Sequence, residues 1–379
     1  MFPQSTYNAA KEIASIIETH YSEHISEARQ SGKQDLAPEP SKDTIEAIID
    51  AGFWASLRRE EGNPPKLSLA YLPPTMAGNP MTFEHRFPLS PTVLTKLAPG
   101  IERAGIHVGV WHEGQELYIW GTTRILPSLC FVLEVVEPGL LVIKHKRIHG
   151  FGKFVNVAVL KGDRIKIVDQ NRATLADSPD VLTSLLGFTS PVSWNDSVKV
   201  LIQLATSMRA HGHGGSLLVV PSGSDSWRHS IVHPISYPVV PPYTALADIL
   251  NQNNSERTQR WQVHLSQAVD SVAGLTAIDG ATIITDKHEL LAFGAKIKQS
   301  QYGTPVEKIL ITEPIIGSEG SVIHPSQNGG TRHFSAAQFV FDQRNAMALI
   351  ASQDGRFTIF AWSDQEDMVL AHRVDSLLL

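Results

Sequence analysis

Ala9, Ile13, Ile16, Ile17 and Tyr21 recur at the three- and four-residue spacing of one helix face, and this predicts an amphipathic helix over 7–30. Ser31-Gly32-Lys33 ends it, and a second short helix, 44–51, stops at Gly52. Pro38, Pro40, Pro64, Pro65, Pro73 and Pro74 then punctuate the chain, so residues 1–90 are expected to form a helical appendage packed on the next domain. From 104 to 169 the pattern changes to short apolar runs rich in β-branched and aromatic residues, at 106–111, 116–121, 130–136, 140–144, 155–160 and 164–168. Turns such as Glu137-Pro138-Gly139 and Lys161-Gly162-Asp163 join them, the signature of hairpins in a mostly antiparallel unit.

A helix-strand rhythm begins near 190. Asn195 or Asp196 can cap a helix running to Arg209, with Val198, Leu201, Ile202 and Ala205 on one face. Gly212–Gly215 turns the chain into 216–220, a run apolar after Ser216 and typical of a strand buried on both faces. A helix over 255–272 leads to strands 281–285 and 290–294, and a helix from Ser335 to strands 346–352 and 356–362. The expected fold class is α/β (α+β). A C-terminal mixed sheet flanked by helices (189–365) follows a smaller, mostly antiparallel β-rich domain (91–188) and the helical appendage (1–90), with a tail at 366–379.

The chain has 379 residues, 42% hydrophobic and 18% charged, enough for two domains with ordinary cores. A formal charge of −6 argues against a main role in clamping a nucleic-acid backbone, while a bound nucleotide needs only a local basic cluster. The single cysteine, Cys130, excludes an internal disulfide and a Cys-based zinc site. No apolar run approaches the length needed to span a bilayer, so no membrane partner is expected and the expected location is cytoplasmic.

The candidate chemistry lies at Asp279-Gly280-Ala281 and, about fifty residues on, at Asn328-Gly329-Gly330-Thr331-Arg332-His333. A hard Mg²⁺ or Mn²⁺ ion takes one or two carboxylates and leaves the rest of its shell to substrate phosphates, so Asp279 is the metal candidate. Gly329 and Gly330 can adopt positive φ and bare successive N–H groups to an anion, Thr331 adds a hydroxyl, and Arg332 a donor fork matched to phosphate. A helix expected just after His333 would aim its positive end at the same place. Each motif also has a plain structural reading, an Asp-Gly turn and a glycine turn before a helix.

With Thr282-Ile283-Ile284 after the first motif and Ala336-Ala337 after the second, these residues resemble the two signature motifs of the diadenylate cyclase domain. Gly214-Gly215-Ser216-Leu217-Leu218-Val219-Val220 is similar to the segment that opens that domain, and the resemblance spans about 190–365. The upstream β-rich unit resembles the sensor domain called DACNV that accompanies some such cyclases. The resemblance implies that two ATP molecules condense to cyclic di-AMP and pyrophosphate under a regulating sensor domain. It implies Asp279 on the metal and, with Arg332 and His333, in the catalytic set. Gly280, Ala281, Gly330 and Thr331 would bind nucleotide, with adenine lying near Leu291, Phe293 and Gly294. Because each domain would hold one ATP, facing copies of the chain are implied, and the sensor would answer to a signal the sequence does not name.

One departure bears on activity. The family's second motif continues Arg-His-Arg, whereas this chain has Arg332-His333-Phe334, and a phenyl ring donates nothing to phosphate. Lys296 and Arg344 are the candidates to replace the charge. An active cyclase, a regulator that binds nucleotide without turnover, and a scaffold that binds nothing all stand as readings. The connection from Ile297 to Gly329 is expected to be an irregular flap. His211-Gly212-His213 is a glycine turn with no carboxylate at ligand spacing, and Gly150-Phe151-Gly152-Lys153 lacks the spacing of a P-loop.

Overall fold

The computed structural model describes residues 5–103, 105–114, 116–148, 154–169, 182, 196–252, 259–301 and 303–379. Asn195, Trp194, the start of the helix expected at Ser255, the Gly150–Lys153 segment and the expected boundary at 188/189 lie outside the described residues. The chain divides into two compact units, one of Met1–Val168 with Leu379 and one of Asp169–Leu378.

The first unit begins with α1 (Asn8–Gln30), α2 (Lys42–Ser56) and β1 (Leu67–Tyr71), then β2 (Met81–Pro88), α3 (Pro91–Ile101) and β3 (His107–Glu113). It continues through β4 (Glu116–Thr123), β5 (Phe131–Glu137), β6 (Leu140–Lys146), β7 (Phe154–Lys161) and β8 (Arg164–Ile167). Ala9, Ile13, Ile17 and Tyr21 form a buried stripe on α1, as the spacing predicts, and Ile25 joins it, whereas Ile16 is exposed. The Ser41 hydroxyl caps α2 by accepting from the Thr44 N–H at 3.3 Å. The strands form one sheet in the order β2-β4-β3-β1-β5-β6-β7-β8. Among the described residues of this sheet, only β1 and β3 pair in parallel.

The sequence pattern sets residues 1–90 apart as an appendage, and the structure differs. β1 is an interior strand between β3 and β5. α1 and α2 share one hydrophobic core with that sheet, through Ile13, Ile48, Leu69, Leu133 and Leu141. Each such fully buried aliphatic side chain contributes roughly 1.5–3 kcal/mol, so the helices belong to the domain's core.

The second unit contains α4 (Asp196–Ala210), β9 (Gly215–Val220), β10 (Tyr237–Tyr243), α5 (Ala245–Leu250), α6 (Gln259–Leu275), β11 (Ala281–Thr285) and β12 (Leu290–Ala295). After these come β13 (Ile309–Thr312), β14 (Ser321–Ile323), α7 (Thr331–Asp342), β15 (Met347–Ala351), β16 (Phe357–Ser363) and β17 (Met368–Arg373). Their sheet runs β10-β12-β11-β9-β15-β16-β17-β13-β14 and is mixed, with β11 parallel to β9 and β13 parallel to β17. Leu218, Val220, Ile283, Ile350 and Phe360 pack with Ala336, Ala337, Phe339 and Val340 of α7. α4 packs on α6 and reaches β15. The α/β class with a mixed, helix-flanked sheet is therefore as the pattern predicts.

Two segments differ from the sequence expectation. The connection after Ile297 is no irregular flap, because β13 and β14 extend the sheet from it. Residues 368–373, expected in a tail, pair with β16 as an interior strand.

Candidate functional site

A cleft of about 800 Å³ opens in the second unit, and strand pairing explains why it lies where it does. β9 and β11 run parallel, with Thr282 opposite Leu217, so both begin at one end of the sheet's strands. β12 and β15 run antiparallel to them and finish at that same end, with Ala295 opposite Ala281 and Ala351 opposite Gly215. Ser216, Ala281, Ala295 and Ser352 thus meet from four strands, and the N-terminus of α7 closes the cleft with Gly329 to His333. Asp279, Gly280, Lys296, Ile297, Ser335, Gln353, Asp354 and Arg356 complete the lining.

Of the sequence candidates, Asp279, Gly280, Ala281, Gly330, Thr331, Arg332 and His333 all line this cleft. Leu291, Phe293 and Gly294 do not. Leu291 packs against the core and Phe293 stacks on Tyr237 of β10 with ring centroids 4.8 Å apart. Ala295, Lys296 and Ile297, just beyond them on the same strand and its exit, reach the cleft instead. The end of this strand, not its middle, faces the opening.

The glycines act differently from the sequence expectation. Neither Gly329 nor Gly330 has positive φ, and Gly330 sits at φ −77°, ψ −170°. Gly330 is the N-cap of α7, so the helix begins at Thr331, two residues before His333. No side chain caps it, which leaves first-turn N–H groups open to an anion. At Gly329 a Cβ would come within 2.8 Å of the His333 Nδ1. At Gly280, φ is +107° and a Cβ would meet the Gly294 carbonyl carbon at 2.5 Å, so glycine is required there by backbone packing.

His333 is 4% exposed, its ring edge-on to Phe360 and its Nε2 3.4 Å from the Thr358 hydroxyl. Burial lowers its pKa first, and the nearby Arg373 adds to that effect while Asp354 opposes it. A neutral imidazole wedged under Gly329 positions the loop. Asn328, also buried, accepts from Arg373 Nη2 at 3.0 Å, which ties the loop to β17. The Arg332 guanidinium lies over Gly214, where a Cβ would sit 2.8 Å from Nη1.

Five charged groups line the cleft. Lys296, Arg332 and Arg356 stand with Asp279 and Asp354, and Arg356 pairs with Asp354 at 3.2 Å. Phe334 is absent from the lining and lies beside His324. Of the two cations considered as replacements, Lys296 reaches the cleft, whereas Arg344 stacks over Trp362 at 3.7 Å. Arg356 and Asp354 escaped the sequence reading. Their only signal was the turn Gln353-Asp354-Gly355, and its nearness to the cleft depends on β15 pairing with β9.

No group of three His, Cys, Asp or Glu able to hold a metal occurs among the described residues. Of the two carboxylates lining the cleft, Asp354 pairs with Arg356 and Asp279 is exposed with no ion-pair partner among the described residues, which is the donor count suited to a hard ion that substrate phosphates would complete. His211 accepts from the His213 N–H through Nδ1 and contacts Thr276 Oγ1 at 3.2 Å, so it braces its turn.

Residues 34–124 match the family model of the probable sensor domain DACNV. The match runs from just before α2 to the end of β4, so it includes the helical region that the sequence reading placed outside its β-rich domain. No curated protein matches the chain. Among the described residues, no helix is long and apolar enough to cross a membrane.

Proposed function

We propose that the second unit binds ATP in this cleft and that two facing copies condense two ATP molecules to cyclic di-AMP, under control of the first unit. The observation that carries it is the convergence of Asp279, the open N-terminus of α7 and the three cations Lys296, Arg332 and Arg356 on one cleft. The triphosphate would lie against the Gly330–Thr331 backbone and the Arg332 fork, where fixed donors hold pyrophosphate as it leaves. Each 3′-oxygen forms a bond to the α-phosphorus of the other nucleotide as the α–β anhydride bond breaks, and the hydroxyl proton passes to solvent. Mg²⁺ or Mn²⁺ held by Asp279 would neutralise phosphate charge and acidify the hydroxyl. His333, buried and neutral, serves to position the loop rather than to donate charge.

A second reading, a nucleotide-binding regulator without turnover, draws on Phe334 standing where the resembled family has arginine. Purified protein incubated with ATP and Mn²⁺ and analysed by chromatography separates the two. Cyclic di-AMP supports the cyclase, and its loss in Asp279→Asn ties it to this cleft. ATP binding without product favours the regulator, and no ATP binding removes both.

A further inference from the structure

The first unit has a pocket of its own, about 340 Å³, between the end of α3 and strands β1, β3, β5, β6 and β7. Its size is at the small end of those that take organic ligands. Leu67, Ile101, Ile106, Val135 and Phe154 give it an apolar lining. Charged residues line it as well. Lys66, Arg103 and Lys144 stand against Glu102 and Glu134, an excess of one positive charge.

Lys144 is the feature that points to a ligand. Its side chain is 12% exposed and pairs with Glu134, while the ammonium sits 4.7 Å from the centre of the Phe154 ring. Burial lowers its pKa to about 8, so its charge is costly where it stands. An ammonium has three donors, and a second anionic oxygen would offset that cost. At the same mouth, Ser68 and His107 form a hydrogen-bonded pair at 2.8 Å, and the His107 ring meets Phe154 edge-on at 5.4 Å. A hydroxyl, a largely buried cation and the flat Phe154 ring at one cavity match an amphipathic anion, with its charge at Lys144 and its body against Phe154.

We infer that this pocket is the ligand site of the sensor unit and that it takes a small carboxylate with a flat apolar body. The inference does not depend on the nucleotide cleft, since all its residues lie in the first unit. It assigns a binding site to a domain whose family description gives only a probable sensing role.

The test uses the full chain with benzoate as the probe, followed by ligand-detected NMR titration at up to millimolar concentration. Benzamide and benzylamine serve as the neutral and cationic controls. Benzoate should bind, benzamide less tightly and benzylamine not at all. The paired variant Lys144→Met with Glu134→Gln removes both charges without leaving either buried alone, and should weaken benzoate by about tenfold to a hundredfold. If that variant does not fold, Phe154→Leu, at a half-buried position, should weaken it instead. Lys296→Ala with Arg332→Ala should leave benzoate binding intact; loss there would place the probe in the nucleotide cleft and overturn the inference. Equal binding of benzoate and benzamide, no benzoate binding, or wild-type binding by the folded pair or Phe154→Leu variant would also overturn it.

Discussion

Gly330→Ala separates what the α7 loop does for the fold from what it would do for a nucleotide. Its backbone at φ −77°, ψ −170° is open to any residue, and an added Cβ would meet nothing within 4 Å. Replacing glycine by alanine at an N-cap costs about 0.5–1 kcal/mol, while the stiffer unfolded chain returns about 0.4–1 kcal/mol. The two nearly cancel. For a unit the size of Asp169–Leu378, 1 kcal/mol moves Tm by about 2–4 °C, so the melting temperature should stay within that range. A methyl group where phosphate oxygen approaches the first-turn N–H groups forfeits a charge-assisted hydrogen bond of about 1.5–3 kcal/mol, or about tenfold to a hundredfold in ATP affinity. Gly280→Ala is the contrasting control. There φ is +107° and the new Cβ would overlap Gly294 backbone at 2.5–2.8 Å. A sparsely populated φ costs of order 1–3 kcal/mol and forced overlap a similar amount, so Tm should fall by roughly 4–24 °C. Differential scanning fluorimetry and an ATP titration with Mn²⁺ read both quantities. Wild-type ATP affinity in Gly330→Ala at unchanged Tm would refute the backbone cradle, and a Tm loss like that of Gly280→Ala would refute the open space around Gly330.

Arg373→Ala should lower ATP affinity without removing any group that lines the cleft, because Asn328, whose amide nitrogen already has no partner, then loses its remaining anchor; the unsatisfied group costs about 1–3 kcal/mol, and unchanged affinity by calorimetry would show that the loop holds itself. Asp279→Asn should keep its melting temperature, since the carboxylate is exposed, while Mn²⁺-dependent ATP binding weakens; equal binding with and without Mn²⁺ in the wild type would count against a metal at this position. His372 is fully buried, its Nδ1 2.7 Å from the Thr312 hydroxyl, and burial lowers its pKa to about 4. Because the unfolded chain takes up this proton first, the stability it carries is full above about pH 6.5 and declines by about 3 kcal/mol as pH falls towards 4. His372→Asn should flatten that part of the Tm-against-pH curve, and an unchanged slope would assign the acid sensitivity elsewhere.

The fold was legible wherever one segment's pattern sufficed. The stripe of α1, the doubly buried run of β9 and the hairpins from β3 to β8 each announce themselves locally. What escaped depends on partners far away in sequence. β10 carries Pro238, Pro241 and Pro242, a composition that argues against a strand, and it survives as one because it lies at the sheet edge beside β12. β1 is five residues between proline-rich stretches, and only its two neighbours, β3 and β5, make it interior. β17 looked like a tail because nothing local shows that β16 and β13 flank it.

The same limit divides the site. Asp279 and the loop ending at His333 could be paired in advance because each is a compact motif, whereas Arg356 reaches the cleft only through the turn that follows β15. Glycine shows the limit most sharply, for the letter is identical and the physical demand is not. Gly280 is fixed by the backbone of Gly294, and Gly329 by the His333 ring. A Cβ at Gly330 would touch nothing, so packing gives no reason for it. A residue that packing leaves free, at the uncapped start of a helix and beside three cations, is the position where a ligand's requirement can be separated from the protein's own.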